Sequence, residues 1–171
     1  VPAVIIVKDR DASQDWNVYH HENTSAPETD YLVLNTTDAT ADGAGKWNDT
    51  APTSSVFTVG TANSTNNNGN DFIAYCFAEV EGFSKFGSYT GNGSADGPFV
   101  YTGFRPAWVM VKRSDGGTSG WYILDAERNT YNALENRLEA HSSGAEATGL
   151  DVFDFVSNGF KLRDGDTAWN A

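Results

Sequence analysis

The chain has 171 residues, 39% hydrophobic and 13% aromatic, and a formal net charge of −12. Enough apolar residues are present for a packed core, which excludes a disordered chain, and no apolar run is long enough for a membrane-spanning helix. The acidic excess repels phosphates, which disfavours nucleic acid and anionic membranes as partners.

From the N-terminus, residues 3–8 form a short apolar run rich in β-branched side chains, bounded by the turn-like Asp9-Arg10-Asp11, and read as a buried strand. Residues 16–19 alternate and pair with it as a hairpin. Tyr31-Leu32-Val33-Leu34 is a third strand and Val56-Phe57-Thr58-Val59 a fourth. The run Asn63-Ser64-Thr65-Asn66-Asn67-Asn68-Gly69-Asn70 is a polar turn. Residues 72–81 form a fifth strand whose apolar half, including the single cysteine Cys76, reads as buried on both faces. One cysteine excludes an internal disulfide, and in an apolar strand it behaves as a small hydrophobe.

Residues 82–105 connect, with strand character at Phe99-Val100-Tyr101 and a hairpin signal at Asn92-Gly93. Residues 106–112, Pro-Ala-Trp-Val-Met-Val-Lys, then repeat the pattern of residues 2–8, Pro-Ala-Val-Ile-Ile-Val-Lys, about 104 residues further on. Such self-similarity marks a repeated structural unit. A tryptophan follows each copy, Trp16 and Trp121; with Trp108, these read as core. Residues 126–138 read as loop with a helical turn at most. Val152-Phe153-Asp154-Phe155-Val156 alternates, and Phe160-Lys161-Leu162 matches Phe57-Thr58-Val59.

The fold expected is all-β: an antiparallel sandwich built from an internal repeat of about 104 residues. Residues 1–81 make repeat unit one, 82–105 the connecting strands or hairpin, and 106–171 a second unit truncated before its last strand. The second copy stops before the counterpart of residues 72–81, so the chain is expected to be a piece of a longer protein.

Several segments resemble a repeated domain of tailed-phage virion proteins, marine phages especially. They are Asn35-Thr36-Thr37, residues 47–60 from Trp47-Asn48-Asp49 to Thr58-Val59-Gly60, and Ile73-Ala74-Tyr75-Cys76-Phe77-Ala78-Glu79. Residues 87–94, 103–113 and 121–129 fit the same pattern. The resemblance implies a concanavalin-like or jelly-roll-like β-sandwich in a tail, fibre or head-surface protein. It implies particle assembly, host-surface attachment and a place on the virion surface. Its partners would be other virion proteins, further copies in a homo-oligomer, and host surface glycans. The family pattern carries no catalytic residue, so no enzyme activity is expected.

Alternatives stay open. A lectin-like module is favoured by aromatic rings in predicted loops, Trp47, Tyr89, Tyr131 and Trp169, which could stack on sugars. No cofactor is implied, although calcium suits the clustered oxygens of Asp164 and Asp166. A sandwich-fold glycosidase would need paired carboxylates, and Glu79 and Glu81 lie two apart on the predicted fifth strand. His20 and His21, being adjacent, would face opposite ways on a strand and not share one zinc.

Overall fold

Val4–Asp9 is apolar and β-branched enough to be strand on both sequence and structural grounds, and it forms β1 in a computed structural model that describes residues 1–171. The chain is mostly β, 29% strand and 5% helix, with antiparallel sheets. It divides into two compact units. The first comprises residues 1–80, 84–88 and 114–118, and the second residues 81–83, 89–113 and 119–171.

In the first unit β1 pairs antiparallel with β2 (Asn17–His20), Val4 opposite His20 and Val7 opposite Asn17. The buried carboxylate of Asp9 fixes the turn between them, accepting the Asp11 and Ala12 N–H groups at 2.9 and 3.1 Å and the Asn70 side-chain amide at 2.8 Å. Burial pushes the Asp9 carboxyl pKa up, but these donors, with Lys8 nearby, hold it below the usual carboxylate value. β3 (Asp30–Val33) pairs with β2 and the short β4 (Ala41–Asp42) with β3. β5 (Phe72–Phe77) joins the other side of β1, giving the sheet order β4-β3-β2-β1-β5.

One face of this sheet carries a core of Ile5, Val7 and Tyr19 closed by Trp47, with Tyr31, Phe57 and Phe72 at its margin. Trp47 comes from α1 (Ala44–Trp47), a single turn ended by Asn48 in the left-handed region at φ 56°. A second turn, α2 (Asn63–Asn66), occupies part of the polar run expected to be a simple turn. Residues 56–59, expected as a strand, pair with none. The following chain is instead tied to α1 by Gly60 N–H to Lys46 O and Ala62 N–H to Gly45 O. Gly60 is needed there because a Cβ would lie 2.5 Å from the Gly45 carbonyl oxygen.

The largest departure from expectation is β5. It ends at Phe77, and instead of being buried on both faces it is a sheet edge with Ala74, Cys76 and the apolar Ile73, Tyr75 and Phe77 exposed. Cys76 is therefore an exposed thiol rather than a core residue. The physical reason is position: a strand is buried on both faces only when sheet or helix covers each side.

The second unit contains β6 (Phe99–Tyr101), β7 (Trp108–Lys112), β8 (Trp121–Asp125), β9 (Leu138–Glu139), β10 (Phe153–Val156) and β11 (Gly159–Leu162). They form two three-stranded sheets, β7-β8-β9 and β10-β11-β6. The core draws on both sheets: Val111 and Leu124 from the first, Phe153, Phe155, Phe160 and Leu162 from the second, with Leu134, Val152 and Trp169. The Phe153 and Phe160 rings stack at 5.1 Å. Burying each such ring contributes about 2–3 kcal/mol.

Asn92-Gly93 does not make a hairpin. Its loop is clamped by the fully buried Asn170, whose Oδ1 accepts the Asn92 N–H at 2.8 Å. The Asn170 Nδ2 donates to Ser94 O at 2.8 Å and Asp164 O at 2.7 Å. Trp121 is buried, as its strand position suggests, whereas Trp16 is half-buried against Tyr75, and Trp108 is 54% exposed rather than core.

Candidate functional site

The four aromatic residues expected to stack on sugars do not form one surface. Trp47 is 2% exposed, edge-on to Tyr19 at 6.0 Å, with its Nε1–H bonded to Asp30 O at 3.0 Å. Trp169 is 4% exposed, edge-on to Tyr122 at 5.2 Å and covered by the Arg137 guanidinium at 5.1 Å. Both are core side chains, and the reading of them as sugar platforms is corrected accordingly: a ring whose faces are packed has none to offer. Tyr89 is half-buried against Phe160, donates its hydroxyl to Trp169 O at 2.6 Å, and has its pKa raised by burial. Only Tyr131, 83% exposed, keeps an open ring.

The ionisable candidates are absorbed by local structure. β5 ends before Glu79 and Glu81, so they are not paired on a strand face. The Lys85 ammonium lies 2.8 Å from the Glu79 carboxylate and, as its leading cause, holds that carboxyl below its usual value. A general acid needs the reverse shift. Asp164 accepts the Asp166 N–H, and Asp166 accepts the Ala168 N–H at 2.8 Å, so both carboxylates serve the turn ahead of Trp169. No group of three or more His, Cys, Asp or Glu side chains is placed to hold a metal ion.

His20 is driven down to about 4 by burial and then by its neighbour His21, against the pull of Glu22 and Glu79, so it is neutral at pH 7. Its Nδ1 accepts the Glu22 N–H at 3.1 Å, which places the proton on Nε2. His21 donates from Nε2 to Phe86 O at 3.0 Å, since a carbonyl only accepts. His141 accepts the Trp121 N–H on Nδ1 at 3.0 Å. All three imidazoles are tied into backbone bonding.

What the fold leaves open is strand edge. In the first unit β5 is the last strand of its sheet, and in the second β7 is. The direction of the backbone groups follows from the neighbouring bonds, because N–H and C=O alternate sides along a strand. Ala107 O accepts the Ala126 N–H on the β8 side, so the backbone groups of Trp108, Met110 and Lys112 point to the free edge. On β5, Phe77 O accepts from Ala3 and Asp71 O from Arg10, so Ile73, Tyr75 and Phe77 face β1 while Phe72, Ala74 and Cys76 point outward.

Each unit also has a shallow depression. The first is lined by Val7, Phe57, Val59, Thr65, Asn66, Phe72 and Ala74. The second sets the exposed Trp108 beside Asp125, Glu127 and Arg128. Asp125 is committed there, accepting the Glu127 and Arg128 N–H groups at 3.1 and 2.8 Å and pairing with the Arg128 guanidinium.

Two features were not found by sequence reasoning. One is a polar knot in the first unit, where Lys46 Nζ donates to Asn17 Oδ1 and Ser64 Oγ, each at 2.7 Å, above the Tyr31 ring at 4.5 Å. Burial lowers the Lys46 pKa, yet its acceptors and the ring keep it in a structural role, joining α1 and α2 to β2. The other is the exposure of the Trp108 ring, which its place in an apolar strand did not signal.

A family model described as a domain of unknown function, DUF7483, matches residues 1–171, and the chain belongs to that family. No curated protein and no solved structure matches it.

Proposed function

We propose that this member of the family is a non-catalytic assembly module of a phage particle, in a tail, fibre or head-surface protein. Its partners are other particle proteins and copies of itself. The observation that carries the reading is β5: a six-residue apolar strand at a sheet edge, exposed from Ile73 to Phe77, with no charge or proline within it. Monomeric proteins blunt such edges, and an unblunted one is a pairing surface. The particle assignment rests on the resemblance of residues 47–60, 73–79 and 103–113.

The same reading takes the chain as an antiparallel β-sandwich built from a unit that recurs after about 104 residues. Matched hydrogen bonds support the recurrence. His21 N–H donates to Ala3 O and Ala126 N–H to Ala107 O, both at 2.9 Å. Leu34 N–H donates to Trp16 O and Ala140 N–H to Trp121 O, both at 3.0 Å. Asn66 Nδ2 donates to Gly60 O at 2.8 Å and Asn170 Nδ2 to Asp164 O at 2.7 Å.

The test is light scattering on the purified chain across a concentration series. Mass rising with concentration is the expected result, and a strict monomer at the highest concentration would count against assembly through copies. A second reading, glycan binding, is favoured by the exposed Trp108 ring beside charged side chains. A glycan array in which a hit is lost on Trp108→Ala would support it over assembly.

A further inference from the structure

β1 and β7 carry the same Pro-Ala-apolar-Lys pattern and make the same hairpin bond at their starts, from His21 to Ala3 and from Ala126 to Ala107. Their other edges differ. The β1 edge is covered by β5, Val4 opposite Phe77, Ile6 opposite Tyr75 and Lys8 opposite Ile73. Under that cover Ala3, Val4, Ile5 and Val7 are buried. At the matching positions of β7, Ala107 and Trp108 are exposed and Val109 is half-buried; only Val111 is fully buried. Val4 is 7% exposed and Trp108 54%. The first unit thus displays, in one molecule with the bare edge, the strand that fits it.

We propose that the free edge of β7 is a strand-acceptor site. It takes an antiparallel apolar strand of the β5 type, exchanged from a second copy of this chain, whose β5 leaves its own β1 to bond here. Residue-for-residue transfer from β1 fixes the register: Trp108 opposite the residue equivalent to Phe77, Met110 opposite Tyr75 and Lys112 opposite Ile73. In this register the backbone groups of Trp108, Met110 and Lys112 meet those of Ile73, Tyr75 and Phe77, the set that β5 already presents to β1. Main-chain bonds supply the affinity and alternate side chains the selectivity, as in other strand additions. This inference rests on the assembly reading and gives it a surface.

The experiment uses the intact chain and a synthetic peptide of residues 70–81 with serine in place of Cys76. Expected are saturable binding by calorimetry and a blue shift of tryptophan fluorescence as Trp108 leaves water. Met110→Pro removes an N–H aimed at the free edge and spares the bonds to β8, so circular dichroism stays unchanged and binding weakens by at least about tenfold. Met110→Ala, which keeps the N–H, retains binding. In the peptide, Tyr75→Pro abolishes binding, whereas Ala74→Pro, whose N–H points the other way, is tolerated. As a second measurement, the peptide is fused after Ala171 through a flexible linker, and the fusion melts about 5 °C higher, an increase that Tyr75→Pro in the fused segment removes.

A chain that neither binds the peptide nor gains stability from the fusion overturns the proposal. So does a peptide that binds Met110→Pro as well as wild type, or one indifferent to which proline it carries. Self-association without peptide binding removes the acceptor site and leaves assembly standing; peptide binding by a strict monomer does the reverse.

Discussion

Asn170 and Asn66, matched in the proposed repeat, have different surroundings, and replacing each by alanine turns that difference into a measurable ratio. Asn170 is fully buried and its amide makes three hydrogen bonds, to Asn92 N–H, Ser94 O and Asp164 O. Each contributes about 1 kcal/mol net, and a buried partner left unpaired costs at least that, so Asn170→Ala should destabilise the second unit by about 3 kcal/mol. Asn66 is exposed and donates only to Gly60 O, which water can satisfy after the change, so Asn66→Ala should cost the first unit about 0.5 kcal/mol. Asn170→Asp keeps an acceptor for Asn92 but turns a second oxygen toward two carbonyls, and should be at least as harmful as alanine. The assay is urea unfolding followed by circular dichroism and tryptophan fluorescence, with a transition fitted for each unit if two are resolved. Equal losses for Asn66→Ala and Asn170→Ala, or a loss below about 1 kcal/mol at Asn170, would refute the assignment of the clamp.

Trp47→Ala should cost about 3–5 kcal/mol and lower the first unit's melting point, whereas Tyr131→Ala should stay within about 0.5 kcal/mol, both read by thermal denaturation. His20 is held neutral with its pKa lowered from 6.5 to about 4, so the unfolded chain binds the extra proton between those values. Stability of the first unit is therefore full above pH 6.5 and falls as the pH drops toward 4, by about 1–2 kcal/mol after allowance for partial exposure. Denaturation series at pH 7, 5.5 and 4.5 should show the fall, and His20→Gln should flatten it.

Strand positions were legible because short apolar, β-branched runs between turn residues admit few other structures, and β1, β2, β3, β7, β8, β10 and β11 follow them. Strand environment was not legible. An apolar run reads as buried wherever it sits, and nothing local to residues 72–77 says that β5 is a sheet edge. Residues 56–59 have strand composition but find no partner strand, so composition without pairing misled there. Trp47 and Trp169 sit among polar neighbours that look like loop; the turns in which they lie aim the rings inward, which is a tertiary fact. Trp108 reads as core from its place in an apolar run; the strand forms as expected, but its ring lies exposed. The Lys46 knot joins residues 18 to 47 positions apart, beyond any local pattern.

The open edge of β5 also bears on colloidal behaviour. The strand itself carries no charge, but Asp71 precedes it and Glu79 and Glu81 follow it, in a chain of net charge −12. These acids act as gatekeepers, slowing the approach of like-charged copies while leaving the strand itself free to pair. Their range is set by salt, about 30 Å at 0.01 M and about 10 Å at 0.1 M. The chain should therefore stay dispersed in dilute buffer and associate faster as ionic strength rises, so that salt acts on the rate of encounter rather than on the strand contact.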